Sequence, residues 1–188
     1  MLALLKNIVT VHTGVYAKPT ITGNAIYLQA SMLTASGALH VGIVPNVTIE
    51  ENDKHLLQEG DVLFVAKGAG NSAVVYSSAF GPAIASSTFL ILKPMKTNNG
   101  VLLPDYLAWY LNHSTTQAYL KSQAKGSSML SISKKTLEEL EVPVPSLQRQ
   151  QQVLNIQRLR DREKLLTQRL EALREQLVQN QLLTAVQR

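Results

Sequence analysis

The chain has 188 residues, 45% hydrophobic and only 16% charged, a composition that excludes intrinsic disorder and allows one folded core plus an appendage rather than two full domains. The absence of cysteine excludes disulfides and thiolate metal sites and suits a reducing, cytoplasmic setting. A net charge of +5 and a pI near 9.5 admit a polyanionic partner such as nucleic acid.

In chain order, the N-terminal "MLALLKNIVTV" lacks the basic region and cleavage site of a signal peptide, and its apolar run is broken at Lys6 and Asn7. No apolar run approaches the roughly 18 residues that span a bilayer, so no membrane association is expected. Up to about residue 100 the chain alternates Val-, Ile-, Thr- and Tyr-rich runs with Gly, Pro, Asn and Ser. This texture predicts strands over 7–11, 25–31, 39–44, 61–67, 73–78 and 87–93, most of them separated by the turn signals "TGN", "EGD", "GAGN" and "NNG". "EGDVLFVAKGAGNSAVVY" (59–76) is a hairpin candidate, with Gly68 and Gly70 at its turn and Lys67, Asn71 and Ser72 near its tip.

Helical spacing begins at 103–123, where Tyr106, Leu107, Tyr110 and Leu111 form a stripe that Ala118 and Tyr119 continue after a polar turn; Pro104 suits the first turn. The small-residue loop "KGSSMLSIS" (125–133) ends in a possible short strand. Ser133 is a candidate N-cap for a short helix over 133–140. Pro143 and Pro145 then disfavour helical geometry at Val142 and Val144, so this stretch is expected to be extended. Ser146 is the next N-cap, and from Gln148 onward there is no Gly or Pro. Some forty residues of helix would measure about 60 Å, more than the roughly 40 Å width of a 145-residue domain, so the helix is expected to project. Leu159, Leu166, Leu170, Leu173 and Leu177 follow a heptad rhythm that calls for a partner helix, most simply from a second copy, and Asn180 falls on the same seam.

Charge divides at the same junction. Through Leu147 there are ten Lys and no Arg against nine acids; from Gln148 there are seven Arg and one Lys against four acids. The expected domains are therefore a unit over 1–145 and a helix over 146–188.

Catalytic signals are absent. His12, His40, His55 and His113 lack metal-ligand spacing, and no GxSxG elbow, Walker loop or complete GxGxxG occurs. The glycine pair in "KGAGNSA" reads more readily as a tight turn than as a phosphate cradle. Lys67 at the hairpin tip offers a phosphate contact, and Asn71 and Ser72 offer base-edge or backbone contacts.

Five segments in order carry a resemblance: "LLQEGDVLFVAKGAGNSAVVY", "ASSTFLILKP", "LPDYLAWYLNHSTTQAYLKSQAKGSSMLSIS", "LEELEVPVPSLQRQQQV" and the long terminal helix. Together they resemble one half of the specificity subunit of Type I restriction-modification enzymes, a target recognition domain followed by a spacer helix; "LKNIVTVHTG" (5–14) resembles that family's opening strand. The resemblance implies an α+β fold, expected here as a twisted, partly barrel-like mixed sheet with a few helices ahead of a long coiled-coil helix. It implies sequence-specific binding of double-stranded DNA by a subunit that is not itself an enzyme. Methyltransferase subunits using S-adenosylmethionine to methylate adenine, and an ATP-driven restriction subunit, would be partners. The chain itself would hold no cofactor or metal.

Carried over by position, Lys67 with Gly68 and Gly70 matches the family's basic turn, and Lys125, Gly126, Ser127 and Ser128 match its "GS" loop. Pro143, Pro145, Leu147 and Gln151 match its junction. Thr20, Thr22, Asn24, Asn71 and Ser72 are candidate base readers from turn position and side-chain chemistry. The family's subunit has two recognition domains and two spacer helices; with one of each here, the expected arrangement is a homodimer through an antiparallel helix pair reading a bipartite target, with pairing to a different half, a fragment of a longer subunit and an orphan as the alternatives. Two other readings stand beside this one: a protein-interaction module acting through its long helix without direct DNA binding, and an enzyme working through an unrecognised cleft.

Overall fold

The computed structural model describes residues 2–33, 42–50, 53–68, 70–95, 101–124 and 131–187. The chain forms two compact units, Met1–Gln150 and Gln151–Arg188.

Among the described residues three sheets build the first unit. The strands are β1 (Leu2–Leu4), β2 (Val9–Thr13), β3 (Ile26–Leu28), β4 (Val62–Val65), β5 (Ala73–Val75), β6 (Ala83–Ala85), β7 (Phe89–Pro94) and β8 (Glu141–Pro143), of which β2, β3, β4 and β7 are rich in β-branched and aromatic residues. The main sheet is antiparallel in the order β2-β7-β4-β5, and β4 and β5 form the expected hairpin. A parallel pair joins β3 to β6, and an antiparallel pair joins β1 to β8. On one face of the main sheet Leu63, Val65, Phe89 and Ile91 pack with Ile26, Leu28, Ala83 and Ala85 in one core cluster. The opposite face carries Val11, Leu92 and Val62 in one cross-strand row and Leu90 with Phe64 in the next, all buried.

Helix α1 (Pro104–Asn112) packs on β5 and β4, burying Tyr106, Leu107, Ala108 and Leu111. Its first residue is proline, where a missing N–H costs nothing. The helical texture over 103–123 is two helices rather than one. His113 adopts an extended conformation, closes α1, and accepts the Thr115 N–H on its Nδ1 at 3.4 Å to open α2 (Ser114–Gln123). Helix α3 (Lys134–Glu138) is capped as expected, the Ser133 hydroxyl accepting the Thr136 N–H at 3.0 Å. Helix α4 runs from Leu147 to Val186, and its first turn belongs to the first unit.

The barrel-like expectation is overturned: among the described residues no sheet closes or curls upon itself. The physical reason lies at the edges. Beyond β5 the main sheet meets a side chain instead of a strand, because the Asn112 amide accepts the Ala73 N–H at 2.8 Å and donates to its carbonyl at 2.7 Å. Beyond β2 the chain leaves the sheet at Gly14 and meets the end of β6 through a bridge between Val15 and Ser86, in which Val15 donates to the Ala85 carbonyl. No helix among the described residues is long and apolar enough to cross a membrane.

Candidate nucleic-acid interface

The register of the main sheet brings several turns to one end. There β2 finishes at Thr13, β4 finishes at Val65, β5 starts at Ala73 and β7 starts at Phe89. The Thr88 carbonyl accepts the N–H groups of both Ala66 and Lys67, at 2.9 and 3.3 Å, and the Phe89 carbonyl accepts the Gly14 N–H at 3.1 Å. Lys67 pairs across an isolated antiparallel bridge with Ser131, and Ile132 donates to the Ala66 carbonyl at 2.9 Å. Thus the hairpin turn after β4 and the final residues of the 125–133 loop are held side by side. The stretches 13–24, 66–72, 86–88 and 125–132, which begin or end there, contain three lysines and no acid. At the other end of the sheet Asp61 pairs with Lys93 at 2.9 Å, and Glu59 accepts the Ser78 N–H, which holds its carboxyl below the usual range.

The predicted residues that fall within the described stretches have definite places. Lys67 is exposed. Gly68 has φ +140°, a conformation that disfavours any side chain. Asn71 is buried, its amide donating to the Val65 carbonyl at 3.0 Å and its own carbonyl accepting from Gln117 at 2.7 Å, so it braces the turn from beneath. Ser72 is half-buried, and its carbonyl accepts the Val65 N–H. Lys125, Gly126, Ser127 and Ser128 lie outside the described residues.

Thr20, Thr22 and Asn24 sit on a loop sewn to residues 46–49. Both edges of the Asn24 amide pair with Ile49, donating to its carbonyl at 2.8 Å and accepting its N–H at 2.9 Å. Thr20 reaches the Asn46 carbonyl through its N–H at 2.7 Å and its hydroxyl at 3.2 Å, while the hydroxyl also lies against the Thr22 carbonyl. Thr22 is exposed, and its side chain makes no comparable bond among the described residues. Gly23 is required there, since a Cβ would fall 2.3 Å from the Val47 carbonyl oxygen.

At the junction the side chain that counts is Gln150. It is fully buried, accepts the Leu103 N–H at 2.9 Å, and donates to the carbonyls of Val101 and Pro145, each at 2.9 Å. Gln151, matched to the junction in the sequence reading, is exposed. Counting the spacing P-x-P-x-L-x-x-Q from Pro143 lands on Gln150, so the signal was present in the sequence. The extended segment between helices pairs with β1, and the hydroxyls of Tyr106 and Tyr110 donate to the carbonyls of Pro143 and Glu141 at 3.1 and 3.0 Å. An open groove of about 610 Å³, lined by Tyr106, Trp109, Tyr110 and Tyr119 and rimmed by Glu139 and Glu141, lies over this region. Its acids set it apart from the acid-free turns.

In the second unit Leu159, Leu166, Leu170, Leu173 and Leu177 are all 47–69% exposed. Glu163 occupies the seam position between Leu159 and Leu166. Side-chain pairs one turn apart, Gln157 to Asp161 at 2.9 Å and Gln179 to Glu175 at 2.8 Å, line the helix surface.

The first unit thus carries the exposed Lys67 beside the Ser131 bridge at one sheet end, and the helix of the second unit carries an exposed leucine stripe. The family of the Type I restriction modification DNA specificity domain matches residues 6–175, and the chain belongs to it. This is a specificity domain rather than a catalytic one. The Type I restriction enzyme MjaVIII specificity subunit of Methanocaldococcus jannaschii is 29% identical over 118 residues, which cover 63% of this chain and 26% of that protein. Two solved structures share the fold. The Type I restriction-modification S subunit from M. genitalium matches with TM-score 0.60 and 14% identity over 86% of this chain and 39% of that one. The HsdS subunit from Thermoanaerobacter tengcongensis matches with TM-score 0.61 and 17% identity over 87% of this chain and 37% of that one. The chain therefore spans about a quarter of its curated relative and under two fifths of these solved chains.

Proposed function

We propose that this protein recognises double-stranded DNA by sequence as a half specificity subunit of a Type I restriction-modification complex. In this role residues 1–145 form the target recognition domain, and 146–188 form a spacer that pairs with an antiparallel second copy. Two recognition domains held apart in this way would read a bipartite target and position adenine methyltransferase subunits on it. A restriction subunit is a further partner, and S-adenosylmethionine and ATP are used by partners alone.

The observation that carries this reading is the gathering of Lys67, the Ser131 bridge and the start of the 13–24 loop at one sheet end whose chain stretches lack acids. Lys67, Gly68, Ser72, Thr22 and the 125–128 loop are the proposed contacts. Asn24, Asn71 and Thr20 join them chiefly by shaping the turns. Family membership supports the same assignment.

The test is duplex binding by the full chain, alone and with methyltransferase subunits, across a salt series. A steep fall in affinity with salt together with preference for a split site is the expected result. The exposed leucines favour the rival, an interaction module working through its helix. Self-association without binding to any duplex, even in the presence of methyltransferase subunits, would establish that rival instead.

A further inference from the structure

Tyr16 stands out on the 13–24 loop. Its ring is 86% exposed, yet the backbone on both sides of it is fixed. The hydroxyl of Tyr27, a residue only 3% exposed, donates to the Val15 carbonyl at 3.1 Å and accepts the Ala17 N–H at 3.3 Å, so one buried phenol straddles the exposed one. Val15 also donates to the Ala85 carbonyl at 2.9 Å. One residue earlier, Gly14 passes so close to Ser86 that a Cβ would meet its carbonyl oxygen at 2.1 Å. A single exposed aromatic is ordinary on a protein surface. Bracing of the chain on both sides fixes the point from which the exposed ring projects.

Several neighbours agree on the chemistry of what it meets. The loop leaves the sheet at the end that carries Lys67 and the Ser131 bridge. Within 13–24 the only charged residue is Lys18, which is exposed, and Thr22 is exposed beyond it. A phenol both donates and accepts, its ring packs on sugar or a thymine methyl, and it loses little side-chain freedom on binding.

Resting on the DNA-recognition reading above, we infer that Tyr16 is a specificity-determining residue that contacts bases in a groove, with Lys18 beside it on a phosphate. Tyr27 acts through Tyr16 as a positioning residue.

The experiment is selection of bound sequences from a random duplex pool by the full chain, followed by titration of the selected and an unrelated duplex. Tyr16→Ala should lose at least about tenfold in affinity for the selected duplex, with binding to the unrelated duplex and the thermal midpoint unchanged. Lys18→Ala should weaken both duplexes and make the salt slope shallower by about 1. Tyr27→Phe should reproduce part of the Tyr16→Ala loss. Selection of the same motif with the same affinity by Tyr16→Ala overturns the role of Tyr16 while leaving DNA recognition intact. Failure of the unaltered chain to select any motif, alone and with methyltransferase subunits present, sinks both.

Discussion

Lys67 and Ser131 face each other across a single antiparallel bridge that ties the turn after β4 to a loop more than sixty positions later in the chain. The lysine side chain itself is exposed at this tie. Lys67→Ala is expected to weaken duplex binding about equally for all sequences and to lower the salt slope by about 1, read by titration at several salt concentrations. Unchanged affinity and slope would remove Lys67 from the interface.

Gln150 satisfies three backbone groups from a fully buried position. Gln150→Leu strands the Leu103 N–H and two carbonyls and should destabilise the first unit by about 2–3 kcal/mol in urea unfolding. Gln150→Glu should be at least as harmful at neutral pH, where a carboxylate would face two carbonyl oxygens, and milder in acid, where a protonated carboxyl donates again. Gln151→Leu, on an exposed site, should change stability by no more than about 0.5 kcal/mol.

Two glycines separate close approach from open space. Gly23→Ala would drive a methyl into the Val47 backbone, whereas a Cβ at Gly70 meets nothing within 4 Å. The first substitution should cost about 1–3 kcal/mol or more and the second far less. Equal melting temperatures for the two variants would contradict the loop geometry.

Leu166, Leu170 and Leu173 are exposed along one stripe of α4. Changing all three to Gln keeps good helix formers in place while removing the apolar seam. Solution mass measured by light scattering is expected to fall from dimer to monomer, with the unfolding of residues 1–150 unaffected.

Burial pushes the phenols of Tyr76 and Tyr106 above the ordinary tyrosine value. Below about pH 10 both are neutral, folded or unfolded, and contribute fully. As pH rises through the ordinary value the unfolded chain ionises first, so stability should decline with pH there. Tyr106→Phe should shrink that alkaline decline and cost about 1 kcal/mol at neutral pH through loss of the bond to Pro143. The opposite sign holds for Glu59, whose lowered value gives a contribution present above the ordinary carboxylate range and lost as acid is added.

Much of the scaffold was legible because its signals are local. The prolines at 143 and 145 announce the extended junction, Ser133 announces α3, and the hydrophobic runs around Gly68 announce the β4–β5 hairpin. The strands that escaped detection, β1 and β6, are three residues long and owe their existence to partners elsewhere, β1 to a segment near residue 142. Nothing within "LAL" or "AIA" specifies such a pairing. The same limit applies to side chains: the sequence locates Asn24 and Asn71 at turns but not the backbone groups they bond. It also placed a barrel where Asn112 stands instead of a further strand.

That asparagine has a second consequence. A terminal strand of a sheet ordinarily offers bare N–H and C=O groups on which a stranger's chain can grow. With the amide of Asn112 bonded to both groups of Ala73, that route to polymerisation is plugged at β5. Asn112→Leu should therefore yield a protein that aggregates on storage before it loses any activity.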